Sequence, residues 1–160
     1  SFYQNAGATR RYGLELAALY QWNRWEMQAS LTQAQYQFEG KKAEDYLNGN
    51  SLPGIPNGQL FLQLQYSTNT DWKWVLSGEH VGEFYANNSN SVAIESFQKL
   101  RFQTQKTVQI SWGEIDFLGG INNLFNTAYY DNIRLNAFGG RFYEPAPGRN
   151  FYLGFNISLI

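Results

Sequence analysis

The residues able to do chemistry in this chain are few and scattered. His80 is the one histidine and there is no cysteine, so zinc has no ligand set and a disulfide has no partners. Glu114 and Asp116 stand two apart and could act as paired carboxylates. They flank an expected turn, however, which favours solvated turn charges. No serine falls in a Ser-His-acid arrangement. Gly119-Gly120 and Gly139-Gly140 lack the Lys-Ser/Thr that completes a phosphate loop. The sequence therefore points away from an enzyme, and no cofactor or metal is expected. The residues suited to binding are denser. Tyr129, Tyr130, Asp131, Arg134, Arg141 and Tyr143 crowd one polar stretch. Aromatic faces and guanidinium forks of this kind suit an anionic, partly aromatic chelate.

Strands must carry these residues, because the apolar positions recur every second residue rather than three and four apart. Over residues 8–20, Tyr12, Leu14, Leu16, Ala18 and Tyr20 share one face, and Arg11, Gly13, Glu15 and Ala17 share the other. A short turn is expected over 21–23. Trp25, Met27, Ala29 and Leu31 then oppose Glu26, Gln28, Ser30 and Thr32. Leu60, Leu62, Leu64 and Tyr66 oppose Gln59, Gln63 and Gln65, with Phe61 breaking the polar face. After a tight turn at 69–71, Trp72, Trp74 and Leu76 alternate with Lys73, Val75 and Ser77, and His80 continues the apolar parity. Residues 97–111 form a further strand whose apolar parity, Leu100, Phe102, Val108 and Ile110, also includes Lys106. A bulge or an earlier turn, near 104–107, would remove that conflict; a turn at Trp112-Gly113 is the preferred expectation. Ile115, Phe117, Gly119 and Ile121 follow on one face.

Polar, Gly- and Asn-rich stretches cover 39–57, 83–91 and 126–149, and residues 1–7 read as the tail of another. Long and short connections thus alternate, as in an up-and-down barrel that crosses a membrane with short turns on one side and long loops on the other. Counting back from the last strand puts every short turn on the periplasmic side. No apolar run approaches the roughly 18 residues of a membrane helix, which leaves a barrel open. A net charge of −1 gives no attraction to nucleic acid. Aromatic residues at 18% of the chain suit interfacial girdles or a ligand surface.

The last segment, 151–160, completes seven strands. Phe151, Leu153, Phe155, Ile157 and Leu159 point one way and Tyr152, Gly154, Asn156 and Ser158 the other. Before it stand Asn122-Asn123-Leu124-Phe125 and Glu144-Pro145-Ala146-Pro147-Gly148-Arg149-Asn150. In this order and spacing they resemble the C-terminal strands of TonB-dependent outer-membrane receptors. The resemblance implies an all-β antiparallel meander taken from a 22-stranded transmembrane barrel. Residues 1–160 would be the C-terminal part of that barrel, without the plug and the earlier strands. It implies a Gram-negative outer membrane, a lipid-facing wall and a ferric siderophore or similar chelate as cargo. TonB would be engaged through an N-terminal region not in this chain. Asn122, Asn123, Leu124, Phe125, Pro145, Pro147, Gly148 and Arg149 are then structural, the two amides satisfying backbone where strand opens into loop. Arg149 is expected to pair with a carboxylate of a neighbouring wall or the plug. Tyr129, Tyr130, Arg134, Arg141 and Tyr143 are the ligand candidates.

Two features depart from the family pattern: Ile160 stands where an aromatic is common, and Lys106 interrupts the apolar face. No signal peptide heads the chain, as expected of a processed or excised segment, and seven strands, against the usual even number, also suggest a piece. A soluble aromatic-rich β-protein that binds carbohydrate is the competing reading. It requires the apolar face to be buried inside the molecule. A membrane-barrel enzyme is a third, opposed by the isolated His80.

Overall fold

The computed structural model describes residues 8–40 and 46–159. The loop tail expected over 1–7, part of the loop expected over 39–57, and Ile160 lie outside the described residues. Eleven strands follow in order: β1 (Ala8–Trp22), β2 (Trp25–Glu39), β3 (Gly58–Ser67), β4 (Trp72–Val81), β5 (Phe84–Tyr85), β6 (Ala93–Ile94), β7 (Phe97–Ile110), β8 (Gly113–Asn122), β9 (Tyr130–Ile133), β10 (Tyr143–Pro145) and β11 (Asn150–Leu159). Seven form one antiparallel sheet in the order β1-β2-β3-β4-β7-β8-β11. The other four make two small hairpins, β5-β6 and β9-β10, inside the long connections. The large sheet is open: among the described residues, β1 and β11 each pair on one side only.

The registers place the expected parities on common faces. One row runs Trp22, Trp25, Tyr66, Trp74, Thr104, Gly119 and Leu153; the next runs Tyr20, Met27, Leu64, Leu76, Phe102, Ile121 and Phe151. Glu26, Gln28, Gln63, Gln65, Gln103 and Asn156 lie on the opposite face. Near the short turns the apolar face is aromatic, with Trp25 and Tyr66 ring centroids 4.5 Å apart and Tyr66 and Trp74 6.2 Å apart. Such cross-strand ring pairs stabilise a sheet beyond the area they bury.

Two turn positions move by one residue. The first is Asn23-Arg24, because Asn23 takes a left-handed φ of 54° and Trp22 still pairs with Trp25. The third is Ser111-Trp112, with Gly113 already paired to Ile110. Both ladders of β7 run without a register shift through Lys106, so neither a bulge nor an earlier turn rescues it. Lys106 stays on the apolar face. Its ammonium reaches the carbonyl of Thr70 in the neighbouring turn and lies 6.0 Å from the Trp72 ring centroid. The alkyl stem covers apolar surface while the charge returns to the polar edge.

β2 continues well past Thr32, and its two faces exchange character there. Gln33, Gln35 and Gln37 occupy the parity of Leu31, while Ala34, Tyr36 and Phe38 occupy that of Ser30. The returning chain pairs with this upper part: Phe38 N donates to Asn50 O at 2.9 Å and Leu52 N to Tyr36 O at 2.8 Å. Phe38, Val81, Ala86 and Ile94 are the buried hydrophobic residues among those described. All four lie at the long-loop end, where Phe38 and Val81 at the ends of β2 and β4 join Ala86 and Ile94 of the connection above.

The three long connections form one body through asparagine side chains. Asn90 Oδ1 accepts from Ser51 N at 2.7 Å, and Asn90 Nδ2 donates to Ser51 O at 2.9 Å. Asn50 Nδ2 donates to Asn88 O at 2.9 Å. Asn136 Oδ1 accepts from Asn88 N at 2.9 Å, while Asn136 N donates to Ala86 O at 2.9 Å. Leu135 packs over Gly54, where a Cβ would stand 2.7 Å from a Leu135 methyl and φ is +76°. Only glycine serves there.

Candidate functional site

β7 supplies the axis of the site. Its polar face carries Phe97, Lys99, Arg101 and Gln103 in succession from the loop end. Around Phe97 the β5-β6 and β9-β10 hairpins leave a cleft of about 530 Å3, lined by Ile94, Glu95, Phe97, Tyr129, Tyr130, Tyr143 and Pro145 among others. Phe97 stacks on Tyr129 with centroids 4.9 Å apart, and Tyr130 on Tyr143 at 4.5 Å. The β9-β10 pairing sets the second stack, and its register shift at Glu144/Pro145 turns Pro145 towards the same cleft.

Below lies a second, polar cleft of about 270 Å3 whose lining includes Phe61, Gln63, Glu79, Lys99, Arg101, Gln103, Tyr129 and Asp131. Tyr129 belongs to both clefts. Lys99 Nζ is 3.0 Å from Glu79 Oε2 and 5.3 Å from the Tyr129 centroid. Gln103 donates to the Tyr152 hydroxyl at 2.7 Å. Arg101 has no ion pair among the described residues.

Of the five ligand candidates, Tyr129, Tyr130 and Tyr143 come together. Arg134 does not line the cleft: its Nε donates to Glu144 Oε1 at 2.9 Å, and Asn132 donates to Glu144 Oε2 at 3.1 Å. The Asn132 hydrogen bond, followed by the Arg134 hydrogen bond and charge, holds the Glu144 carboxyl below its ordinary range. Arg141 is exposed and lines neither cleft. Glu95, Phe97, Lys99 and Arg101 were not foreseen. A signal for Phe97 existed, as an aromatic on the polar parity of its strand.

The motif residues form a latch beneath the cleft. Asn122 Nδ2 donates to Asn150 Oδ1 at 2.9 Å across the last ladder rung. Asn123, 5% exposed with φ +50°, accepts from Thr127 N at 2.9 Å and donates to Thr127 O at 2.8 Å. Leu124 N donates to Leu100 O at 2.8 Å, and Phe125 is exposed. Asn126 Oδ1 accepts from Arg149 N at 2.8 Å, in space left by Gly148. Pro147 O lies 3.5 Å from Asn123 Nδ2. The Arg149 guanidinium has no partner among the described residues, so the pairing expected of it is not made within them.

The catalytic alternatives find no support in the geometry. Asp116 accepts from Thr107 Oγ1 at 2.5 Å and Glu114 from Gln109 at 3.0 Å. His80 sits on the apolar face, its Nδ1 buried without a partner. Among the described residues no three His, Cys, Asp or Glu side chains cluster for a metal.

The sequence profile of the family described as TonB dependent receptor-like, beta-barrel, matches residues 1–124. The chain belongs to that family. The match includes Asn122, Asn123 and Leu124 and stops before the 144–150 segment. Solved receptors share the fold of the sheet. The ferric citrate transporter FecA, unliganded, is 19% identical with a TM-score of 0.79, over 91% of this chain and 23% of FecA. The siderophore receptor PiuA from Acinetobacter baumannii is 19% identical with a TM-score of 0.77, over 93% and 22%. The ferric yersiniabactin uptake receptor FyuA from Yersinia pestis is 19% identical with a TM-score of 0.76, over 94% and 23%. The receptor chain described here thus spans less than a quarter of the length of each. The soluble alternative requires a buried apolar face, whereas Leu62, on an inner strand of the sheet, is 50% exposed among the described residues.

Proposed function

We propose that these residues are the C-terminal wall of an outer-membrane receptor that imports a ferric siderophore or related chelate with energy delivered by TonB. The wall binds and guides; it performs no reaction. The observation that carries the reading is the seven-strand alternation in a chain of this family. Between the short turns and the loop end one face is mainly apolar, with Lys106 as its charged exception, and the other is set mainly with amides and carboxylates. In the reading, lipid meets the first face and a wet lumen meets the second. Tyr129, Tyr130 and Tyr143 form part of the ligand's entry at the cell surface. Asn122 to Phe125 and Pro145 to Arg149 hold that entry in place.

Cysteine labelling on intact cells carrying the full-length receptor tests the orientation. Tyr46→Cys and Phe138→Cys, both highly exposed, react with an impermeant maleimide, and Asn69→Cys does not. Radioactive iron uptake from single chelates supplies the second readout and falls to background when TonB is deleted. Uptake that ignores TonB rules out the transport reading; labelling at Asn69 inverts the orientation.

A further inference from the structure

We infer that the aromatic cleft takes an uncharged or cationic group of the ligand, and that this part of the wall favours such chelates over multiply anionic ones. The inference rests on the ferric-chelate reading above and narrows it.

Arginines beside tyrosines in the sequence suggested an anion site, and the structure separates the two. Arg134 is consumed by Glu144, and Arg141 lines neither cleft. What remains in the aromatic cleft is Phe97, Tyr129, Tyr130, Tyr143 and Pro145, with Glu95 as the one formal charge of the lining. Glu95 is exposed and has no ion pair among the described residues. Ring faces carry a negative quadrupole, so stacked tyrosines beside a carboxylate attract cations and tolerate neutral amides. They repel an anion. The polar cleft below does not reverse this sign. It holds Glu79 and Asp131 against Lys99 and Arg101, and Lys99 is already paired to Glu79. Along these two clefts a ligand meets aromatic surface first and a balanced set of charges next, and among the described lining residues Arg101 is the one cation without an ion pair.

The test uses the full-length receptor in detergent and three iron(III) complexes as probes, read by quenching of intrinsic fluorescence. They are a neutral cyclic tris-hydroxamate, a monocationic linear tris-hydroxamate and a trianionic tris-catecholate. The neutral or cationic complex is expected to bind most tightly. Tyr130→Ala and Tyr143→Ala should each weaken it by about tenfold, and Tyr143→Phe should restore most of the loss. Glu95→Lys, at an exposed loop position, should weaken the cationic complex by about tenfold and leave the neutral one nearly unchanged. Tightest binding of the trianion overturns the inference and leaves the ferric-chelate reading standing. So does binding of the neutral or cationic complex that ignores both tyrosine truncations. A receptor that holds none of the three overturns the ferric-chelate reading itself, and this inference with it.

Discussion

Leu62 and Ile94 are both branched aliphatic residues on strands, yet Leu62 is 50% exposed and Ile94 only 3%. Leu62 lies in the band between the short turns and the loops, where the sheet has a single layer. Ile94 lies in the cap, where three connections fold over one another. Among the described residues the band has no partner layer, and its backbone is paired through ladders. The cap has short ladders and relies on packing and on asparagine amides. A soluble domain combines both strategies around one core; here they are divided along the strand axis. In the proposed reading the difference follows from the solvent: a band that meets lipid needs no apolar layer over it, whereas a cap in water must build its own.

The substitution that strains this comparison most is Leu62→Lys. In the full-length receptor folded into vesicles it should cost about 2–4 kcal/mol if the band is lipid-facing. The neighbouring Gln63→Lys, on the lumen face, should cost far less. Denaturant titration of both gives the answer, and equal losses would mean that the band does not meet lipid.

A smaller effect is expected in the cap. Asn90→Ala removes the acceptor for Ser51 N and the donor to Ser51 O. The expected cost is about 1–3 kcal/mol for the groups left unpaired. It should appear as faster hydrogen exchange at 50–52 and 87–91, with β3 and β4 unchanged. If exchange rises over the whole sheet, cap and band are one cooperative unit and not two.

The band was largely legible in the sequence, because period-two alternation is a direct consequence of strand geometry. Lys106 shows the limit: one charge on the apolar parity leaves a bulge or an earlier turn open beside the regular strand. The physical answer was a long side chain reaching a turn carbonyl. The cap was less legible. Loop composition marked 83–91 and 126–149 as connections, but the first runs on to 96, and their hairpins, only two to four residues per strand, stayed hidden. Phe38, Phe61, Val81 and Phe97 all sit on the polar parity near the loop end. Each reads as an error in the alternation until the loops above supply something to pack against. The tyrosines were identified because aromatics stand out in a polar stretch. The fate of Arg134 depended on a cross-strand partner ten residues away, Glu144, which spacing alone does not reveal.

The asparagine stitches of the cap have a consequence for a protein that faces changing water. An amide carries no charge and does not titrate, so neither ionic strength nor acidity weakens the links among Asn50, Asn88, Asn90 and Asn136. The Arg134–Glu144 pair is different. Its carboxyl lies below the ordinary range when folded, so its contribution is complete above that range and is lost as pH falls through the depressed value. Salt screens it as well. Acid or brine should therefore loosen the β9-β10 hairpin first, seen as faster exchange at 130–133 and 143–145, while 50–52 and 87–91 hold. Of these two sets of links above the sheet, the asparagine stitches and the Arg134–Glu144 pair, only the charged pair senses the medium.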